Sequence, residues 1–581
     1  MQSDKKQIFI RIKLILIFFT LFAFIIIGKI FYAQIKNKEL LKNSTKLLSG
    51  EKIIPASRGN ILDCNGHILA TSIPMYTIAI DPSLITEEDF IEKVPKLSKC
   101  LENSLKEKFA EDYFNLIKNS FKKNIRYMKI SNKKINHNEK LEIETWPLFH
   151  KSKDVCPGIL EKVEVRFKPF KDLFSRGIGY INQNAKVGIE STYNKELAGK
   201  PGNAMYKKIL GSNWKKLSSS VNKEPIHGYD IQTTIDINLQ DIANQSLLDV
   251  LEEAQGDYGC LILMEVKTGE IKAMVNLTKS KNDKYEENYN YTIGDHGIRE
   301  PGSVFKLVSM IAILETGNVN LDSEIETTPH IYWHNTKLNE SNYVGWGTIS
   351  IRESFIKSSN TAITKLIVEQ FEKNPEKFIT EIKRLKFDLK TEINIEGEGN
   401  SFIPQPKTKN WSGISLPWLS IGYGLEVSPM QIVQLYNAVA NNGVMVKPKI
   451  VKNILHGNKI IKTFPTEIVV KKICSKKNLM EIKNMLKGVV DRGTARFSRD
   501  SFYKIAGKSG TANTLENGKY SKKTYTTFVG YFPEENPKYS CIVCIDNPRN
   551  LKWHYGGKLS WVVKQIADKI SSQDLDYYKL G

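Results

Sequence analysis

At 581 residues the chain is too long for a single domain, and two or three domains are expected. Its 41% hydrophobic and 25% charged residues are typical of a globular protein. The net charge of +21 invites a nucleic-acid-binding interpretation, but the lysines are spread through every segment and no RNA- or DNA-binding motif occurs, so we exclude that class. The basic character fits either anionic lipids and polymers or a general bias toward lysine, isoleucine and asparagine.

An apolar run near the N-terminus, residues 14–32, is long enough for one membrane-spanning helix. The segment 1–13 before it is basic, as the positive-inside rule expects of a cytoplasmic tail. Lysines also follow the run, so charge by itself leaves the orientation open. A cleaved signal peptide is the alternative. A cut after Ala33 would put the bulky Phe31 three residues before the cleavage point, which favours an uncleaved anchor.

Residues 33–227 mix short strands, turns and a lysine-rich helical stretch at 105–123. Two turn-rich motifs stand out there, Arg-Gly-Asn-Ile-Leu-Asp at 58–63 and Gly-Ile-Glu at 188–190. Their glycines fit turns that require a positive φ.

From residue 228 the pattern becomes strand–helix–strand. A buried strand at 259–266 is predicted to pair with 270–276 through a turn at 267–269. Three late strands are predicted around 502–511, 526–531 and 540–546, followed by a covering helix at 561–570. The pattern predicts an α/β domain over 228–581, with an antiparallel sheet and a helical subdomain.

The seven cysteines are an odd and dispersed set, which does not describe a disulfide framework. Cys541 and Cys544 lie three apart in a predicted strand and so point to opposite faces, which favours buried hydrophobic roles over a redox pair. The histidines lack metal-ligand spacing and no phosphate-binding glycine loop is evident, so neither a metal nor a cofactor is expected.

Ser303 and Lys306 form the first chemically informative pair. Pro301 and Gly302 precede a run with helical periodicity, so the two side chains share one helix face and Ser303 lies in the first turn. A hydroxyl nucleophile needs a base, and a lysine kept neutral by burial would serve. By itself the pair is weak evidence, because a surface serine beside a solvated lysine is common.

Two further motifs follow in order. Ser358-Ser359-Asn360 precedes a helical run; Ser358 could relay a proton and Asn360 could bind a peptide group, although an ordinary helix cap is the alternative. Lys508-Ser509-Gly510-Thr511 ends a predicted strand. There Gly510 would let another chain segment approach, and the cation and hydroxyls would suit a carboxylate, although an edge strand guarded by a lysine is the alternative.

The three motifs in this order resemble those of penicillin-recognising serine enzymes. The motif beginning at Arg58, the Gly188-Ile189-Glu190 motif and Ser420-Ile421-Gly422-Tyr423-Gly424 are similar to those of class B penicillin-binding proteins. The resemblance implies the penicillin-binding transpeptidase fold, with residues 33–227 as an N-terminal pedestal and 228–581 as the catalytic domain. It assigns the motif beginning at Arg58 and the Gly188-Ile189-Glu190 motif to docking of the pedestal rather than to the active site.

The resemblance also implies a mechanism. Ser303 would attack the penultimate carbonyl of a stem peptide ending in D-Ala-D-Ala, Lys306 would act as base, and Ser358 would relay protons. Asn360 would hold the peptide. The terminal carboxylate would be bound by the side chains of Lys508, Ser509 and Thr511. The oxyanion hole would be formed by the backbone N–H groups of Ser303 and Thr511.

The same resemblance implies β-lactams as covalent inhibitors, a polytopic glycan polymerase and other division proteins as partners, and a catalytic domain outside the bacterial cytoplasmic membrane. Similarity to division-type members favours septal wall synthesis, with an elongation role as the alternative. A β-lactamase or β-lactam sensor and a catalytically idle scaffold are less favoured. A bifunctional enzyme would need a glycosyltransferase domain, for which no motif is recognisable.

Overall fold

The computed structural model describes residues 2–150, 156–181, 186–208, 214–216, 223–516, 519–553 and 555–573. The chain divides into two compact units. The N-terminal unit comprises Met1–Ser57, Ser72–Val165 and Gly199–His227, and the C-terminal unit comprises Arg58–Thr71, Arg166–Ala198 and Gly228–Gly581. Both turn-rich motifs of the first third therefore cluster with the C-terminal unit. The linear boundary at 227/228 stays a prediction.

Helices α1 to α16 of the described residues are, in chain order, Gln2–Leu48, Glu87–Leu105, Ala110–Lys122, His137–Ile143, Ser175–Ile178, Gly188–Thr192, Asn194–Ala198, Ile237–Ala254, Lys306–Glu315, Ile351–Ile356, Asn360–Phe371, Pro375–Arg384, Ser415–Leu419, Pro429–Ala440, Lys476–Asp491 and Ser560–Gln573.

Strands β1 to β24 of the same residues are Ser49–Ile54, Ile61–Leu62, Ile68–Ile80, Met128–Lys129, Gly158–Phe167, Tyr180–Ile181, Lys186–Val187, Gly202–Lys208, Trp214–Lys216, Asp230–Thr233, Tyr258–Glu265, Ile271–Lys279, Tyr285–Glu286, Glu324–Thr327, His330–Trp333, Thr336–Asn339, Gly347–Ser350, Met445–Val446, Val451–His456, Lys459–Thr463, Ile468–Val470, Ala506–Glu516, Lys519–Phe532 and Tyr539–Asp546.

Helix α1 contains the apolar stretch Ile10–Lys36, which includes the predicted 14–32 span. Within the described residues it is the one helix long and apolar enough to cross a membrane, and none of it is buried against the rest of the protein. A stretch of 27 residues exceeds the roughly 20 needed to span a bilayer.

The N-terminal unit has its own apolar core, in which α2 and α3 pack together beside the end of β3. The predicted helix at 105–123 is wrong in its first part. Helix α2 ends at Leu105, because Lys106 turns into the left-handed region at φ 55°, and α3 begins at Ala110. The backbone N–H of Phe109 donates to Asp112, which caps the new helix.

The C-terminal unit is built on a six-stranded antiparallel sheet in the order β13-β12-β11-β24-β23-β22. The predicted hairpin of β11 and β12 is confirmed. Strands β11 and β24 are buried almost throughout, because helices α8, α14 and α16 pack on the sheet. Cys541 and Cys544 are fully buried free thiols, as the strand pattern predicted.

The late strands are confirmed with one correction. Strand β22 begins at Ala506 rather than near 502 and continues to Glu516. The residues before it do not extend the strand, because the Ser501 hydroxyl and the Phe502 N–H both bond to the Asp568 carboxylate on α16. As the terminal strand of the sheet, β22 has one edge that no other strand of the sheet covers.

The helical part of this unit carries the first two motifs. Helix α9 is apolar and buried along almost its whole length, as its periodicity predicted. It begins at Lys306, however, and Ser303 lies just before it in a 3₁₀ turn, Gly302–Phe305. The second motif forms the start of α11: the helix begins at Asn360, and Ser359 caps it by accepting a hydrogen bond from the Ala362 N–H.

Candidate active site

The turn that carries Ser303 is held against the sheet edge by glycine. Gly302 has φ 59°, and its N–H donates to the Gly422 carbonyl at 3.0 Å. A Cβ added at Gly302 would lie 2.9 Å from the Thr511 carbonyl oxygen. Glycine is therefore required both for the backbone conformation and for the close approach of the turn to β22.

Strand β22 meets the same turn through its own glycine. A Cβ added at Gly510 would lie 3.2 Å from the Pro301 carbonyl oxygen, which confirms that Gly510 permits close backbone approach. The turn, the second motif and β22 surround a cavity of about 370 Å³. Its wall includes six of the eight predicted residues: Ser303, Ser358, Asn360, Ser509, Gly510 and Thr511.

The two remaining residues, Lys306 and Lys508, lie behind this wall and are completely buried. Lys306 Nζ donates to the Ser358 carbonyl at 2.7 Å and to Asn360 Oδ1 at 2.6 Å, and lies 3.3 Å from Ser358 Oγ. Lys508 Nζ lies 2.9 Å from Ser358 Oγ and 3.0 Å from the Ser509 carbonyl. The Ser358 hydroxyl therefore joins all three motifs.

Burial makes both lysines unusually acidic. Burial lowers the pKa of Lys306 to about 7, although the negative charge of Glu340 opposes the shift. Burial, together with the nearby Lys306, holds the pKa of Lys508 well below its usual range. Near neutral pH, then, Lys306 has a large neutral fraction and can accept a proton.

Two contacts differ from the sequence-based expectations. Within the described residues, no hydrogen bond joins Ser303 Oγ to Lys306 Nζ, which bonds instead to Ser358 and Asn360. Lys508, expected at a substrate carboxylate, bonds to Ser358 and does not line the cavity. It is also no solvent-facing guard of the strand edge, because it is fully buried.

The structure adds residues that sequence reasoning missed. Thr494 Oγ1 lies 2.6 Å from Ser509 Oγ, and the Gly556 N–H donates to Thr511 Oγ1 at 3.1 Å. Aromatic side chains complete the cavity wall, among them Trp346, Tyr423, Phe497 and Tyr555. Tyr423 belongs to the Ser420-Ile421-Gly422-Tyr423-Gly424 motif, which the sequence analysis did not place at the site. The others lie outside every motif, so no local pattern could have identified them.

Glu340 is a further missed residue. It follows β16, is 7% exposed, and accepts hydrogen bonds from the segment that contains the second motif. These partners in the second-motif segment lie 19 to 21 residues downstream, a separation without helical or strand periodicity. Among the described residues no group of three His, Cys, Asp or Glu side chains is placed to hold a metal ion.

Comparison with known proteins agrees with this architecture. The family described as "Penicillin binding protein transpeptidase domain" matches residues 259–571, and "Penicillin-binding Protein dimerisation domain" matches residues 53–233. Peptidoglycan D,D-transpeptidase FtsI of Buchnera aphidicola subsp. Baizongia pistaciae is 29% identical, over 96% of this chain and 94% of that protein. Peptidoglycan D,D-transpeptidase FtsI of Escherichia coli is 25% identical, over 92% of this chain and 87% of that protein.

A crystal structure of penicillin-binding protein 2X from Streptococcus thermophilus has the same fold, with a TM-score of 0.73 and 21% identity. The alignment covers 91% of this chain and 81% of that one. The predicted fold class, a penicillin-binding transpeptidase fold with an N-terminal pedestal domain and one apolar N-terminal helix, is thereby confirmed. Because the transpeptidase match covers more than half of its residues, this chain belongs to the penicillin-binding protein transpeptidase family.

Proposed function

We propose that this chain is a membrane-anchored peptidoglycan D,D-transpeptidase that crosslinks stem peptides through an acyl-enzyme on Ser303. The observation that carries the proposal is the convergence of two buried, easily deprotonated lysines on Ser358, in the wall of the cavity that also presents Ser303. A hydroxyl nucleophile beside a neutral amine is suited to acyl transfer from an amide. The FtsI relatives are named for this reaction.

In the first step Ser303 Oγ attacks the carbonyl of the penultimate D-Ala, and neutral Lys306 accepts the hydroxyl proton. The apo geometry lacks a direct bond between the two groups, but catalytic hydrogen bonds often tighten only when substrate is bound. The C–N bond then breaks. Ser358, hydrogen-bonded to Lys508 and close to Lys306, passes a proton to the departing D-Ala amine.

The remaining predicted residues bind the substrate. Backbone N–H groups of Ser303 and Thr511 stabilise the oxyanion, each typically contributing about 3–4 kcal/mol. Hydroxyls of Ser509 and Thr511 bind the terminal carboxylate, with Lys508 acting on Ser358 instead. Asn360 Oδ1 accepts a hydrogen bond from Lys306 Nζ, and the Asn360 amide nitrogen donates one N–H to the Asn339 carbonyl. Its second N–H is left for the peptide.

In the second step an amine of a neighbouring stem peptide attacks the ester carbonyl, forming the crosslinking amide and restoring the Ser303 hydroxyl. A β-lactam mimics the D-Ala-D-Ala end and leaves Ser303 acylated, because its leaving amine stays tethered. The reaction requires neither a metal nor a cofactor.

The cellular setting follows from the apolar helix and the relatives. The helix within 14–32 anchors the chain in the bacterial cytoplasmic membrane, with residues 1–13 inside and the catalytic domain outside, where peptidoglycan lies. Similarity to FtsI proteins supports septal wall synthesis during cell division. A polytopic glycan polymerase and other division proteins are the partners proposed for this role. An elongation role is the second candidate.

Covalent labelling with benzylpenicillin, read by intact-mass spectrometry and peptide mapping, tests the proposal. We expect a single stable adduct on Ser303, absent from Ser303→Ala and retained by Ser412→Ala, which changes an exposed serine. Labelling of folded Ser303→Ala would refute the nucleophile. An adduct lost within seconds would indicate a β-lactamase, and a folded wild-type protein without an adduct would indicate a scaffold.

A further inference from the structure

Glu340 is a buried carboxylate surrounded by hydrogen-bond donors. One oxygen accepts from the Asn360 N–H at 2.8 Å, the Ser341 N–H at 2.7 Å and the Ser341 hydroxyl at 3.0 Å. The other accepts from the Ser359 hydroxyl at 2.5 Å, the Thr361 hydroxyl at 2.7 Å and the Thr361 N–H at 3.1 Å. Six donors converge on one side chain, so a carboxylate fits the position and a group that carries its own N–H does not.

These bonds fix the start of α11. The helix begins at Asn360, where unpaired backbone N–H groups and the helix dipole favour a negative charge. Glu340 takes two of those N–H groups, while the Ser359 hydroxyl that it also binds caps a third. The carboxylate therefore holds the Ser359-Asn360 end of the second motif to the loop after β16.

Ser358, immediately before this point, has a strained backbone. Its φ is 59°, a left-handed value that is unfavourable for a non-glycine residue. Such a conformation persists only when neighbours determine it from both sides. Lys306 holds it through its hydrogen bond to the Ser358 carbonyl, and Glu340 holds the two residues that follow.

Glu340 also balances charge at the buried lysines. Two titratable groups face Lys306, namely Glu340 from the loop after β16 and Lys508 from β22. Burial by itself raises the pKa of Glu340, but Lys306 and the hydrogen bonds outweigh it and hold the pKa below its usual range. The carboxylate is thus ionised at neutral pH and in turn favours the protonated form of Lys306.

We propose that Glu340 is a positioning residue for acyl transfer: its carboxylate holds the segment after Ser358 and so sets the Ser358 hydroxyl between the two lysines. The inference rests on the proposed function. Glu340 touches neither substrate nor the reacting atoms, and it acts through the Ser358-Ser359-Asn360 segment and through its charge.

The test compares acylation of the full chain in detergent by a fluorescent penicillin, measured as a second-order rate from pH 5.5 to 9, in wild type, Glu340→Gln and Glu340→Asp. Glu324→Gln, at an exposed position of β14, is the matched control. Thermal unfolding of each variant is recorded in parallel.

We expect Glu340→Gln to be acylated about 10- to 100-fold more slowly, because a small displacement of a catalytic group costs that much. We also expect its pH midpoint to fall by about one pH unit, because the charge that favours protonated Lys306 is lost. A folding defect would not move the midpoint of the remaining active molecules. Glu340→Asp keeps the charge on a shorter stem, so its rate falls while its midpoint stays that of wild type.

A folded Glu340→Gln with the rate or the midpoint of wild type overturns the inference. If Glu340→Gln fails to fold, Glu340→Asp decides, and a wild-type rate in that variant overturns it. A wild-type protein that is not acylated at all is a different result, because it refutes the proposed function instead.

Discussion

Replacing Lys306 by methionine separates the catalytic use of this lysine from its cost to the fold. Methionine has a similar length and removes the amine. Acylation of Ser303 should fall by at least about 100-fold, the usual contribution of a general base. The same substitution removes a group whose burial favours the neutral form, so the free energy of unfolding should acquire a different pH dependence.

The size of this effect follows from the pKa. Lys306 has a pKa of about 7 in the fold, against 10.5 when unperturbed. Between these values the unfolded chain binds one more proton than the native protein, so wild-type stability rises with pH by about 1.4 kcal/mol per pH unit. Across the whole interval, the lysine lowers stability near neutral pH by roughly 5 kcal/mol.

Methionine leaves the acceptors on Ser358 and Asn360 without the lysine, at a cost of about 1–3 kcal/mol each. The stability lost with these hydrogen bonds and the stability gained by removing the buried amine are similar in size. The difference in the free energy of unfolding between the two proteins at a single pH therefore does not separate the two effects. The lost hydrogen bonds do not titrate in this interval, however. From pH 7 to pH 9 the stability of Lys306→Met relative to wild type should therefore decrease by about 2 kcal/mol, since native Lys306 is still partly protonated at the lower end of this interval.

The assay is urea unfolding of the chain from residue 37 onward at several pH values between 7 and 9, with Lys373→Met at an exposed position as the control. Burial is the main cause of the lowered pKa of Lys508 and the charge of Lys306 is the smaller one, so most of the difference in pH dependence between the two proteins comes from Lys306 itself. Parallel stability curves for wild type and Lys306→Met would show that Lys306 is charged in the fold. Its assignment as a base would then fail.

Two further predictions concern the cavity wall. Gly302→Ala should reduce acylation of Ser303 at least tenfold, because the new Cβ meets the Thr511 carbonyl at 2.9 Å. The control is Gly317→Ala, at a similar positive φ but with nothing within 4 Å of the new Cβ, which should cost about 1 kcal/mol in thermal stability and leave acylation intact. If both substitutions slowed acylation equally, the close approach of Gly302 to Thr511 would not be the cause. Thr511→Val should raise KM for a D-Ala-D-Ala peptide about tenfold through the lost hydroxyl, and an unchanged KM would remove it from carboxylate binding.

Local patterns in the sequence were sufficient for much of the molecule. The apolar helix follows from length and composition, and the hairpin of β11 and β12 from two apolar runs around a glycine turn. The burial of Cys541 and Cys544 follows from strand alternation. The order and spacing of the three motifs predicted the site residues, because each motif is only a few residues long and the chemistry of its side chains can be read directly from the sequence.

The break between α2 and α3 and the start of α9 at Lys306 depend on single backbone torsions and caps that periodicity does not encode. Tertiary structure also decided what each site residue touches. Lys508 and Ser358 are 150 residues apart in sequence, and only packing of β22 against the helical part joins them.

The lowered pKa of Lys306 and the partners of Glu340 have the same origin. Both depend on burial and on charges supplied by separate elements of the chain. The sequence by itself therefore predicted which residues carry the chemistry. The fold decided their protonation and their hydrogen bonds, because electrostatic energies in a buried site depend on neighbours that no local pattern specifies.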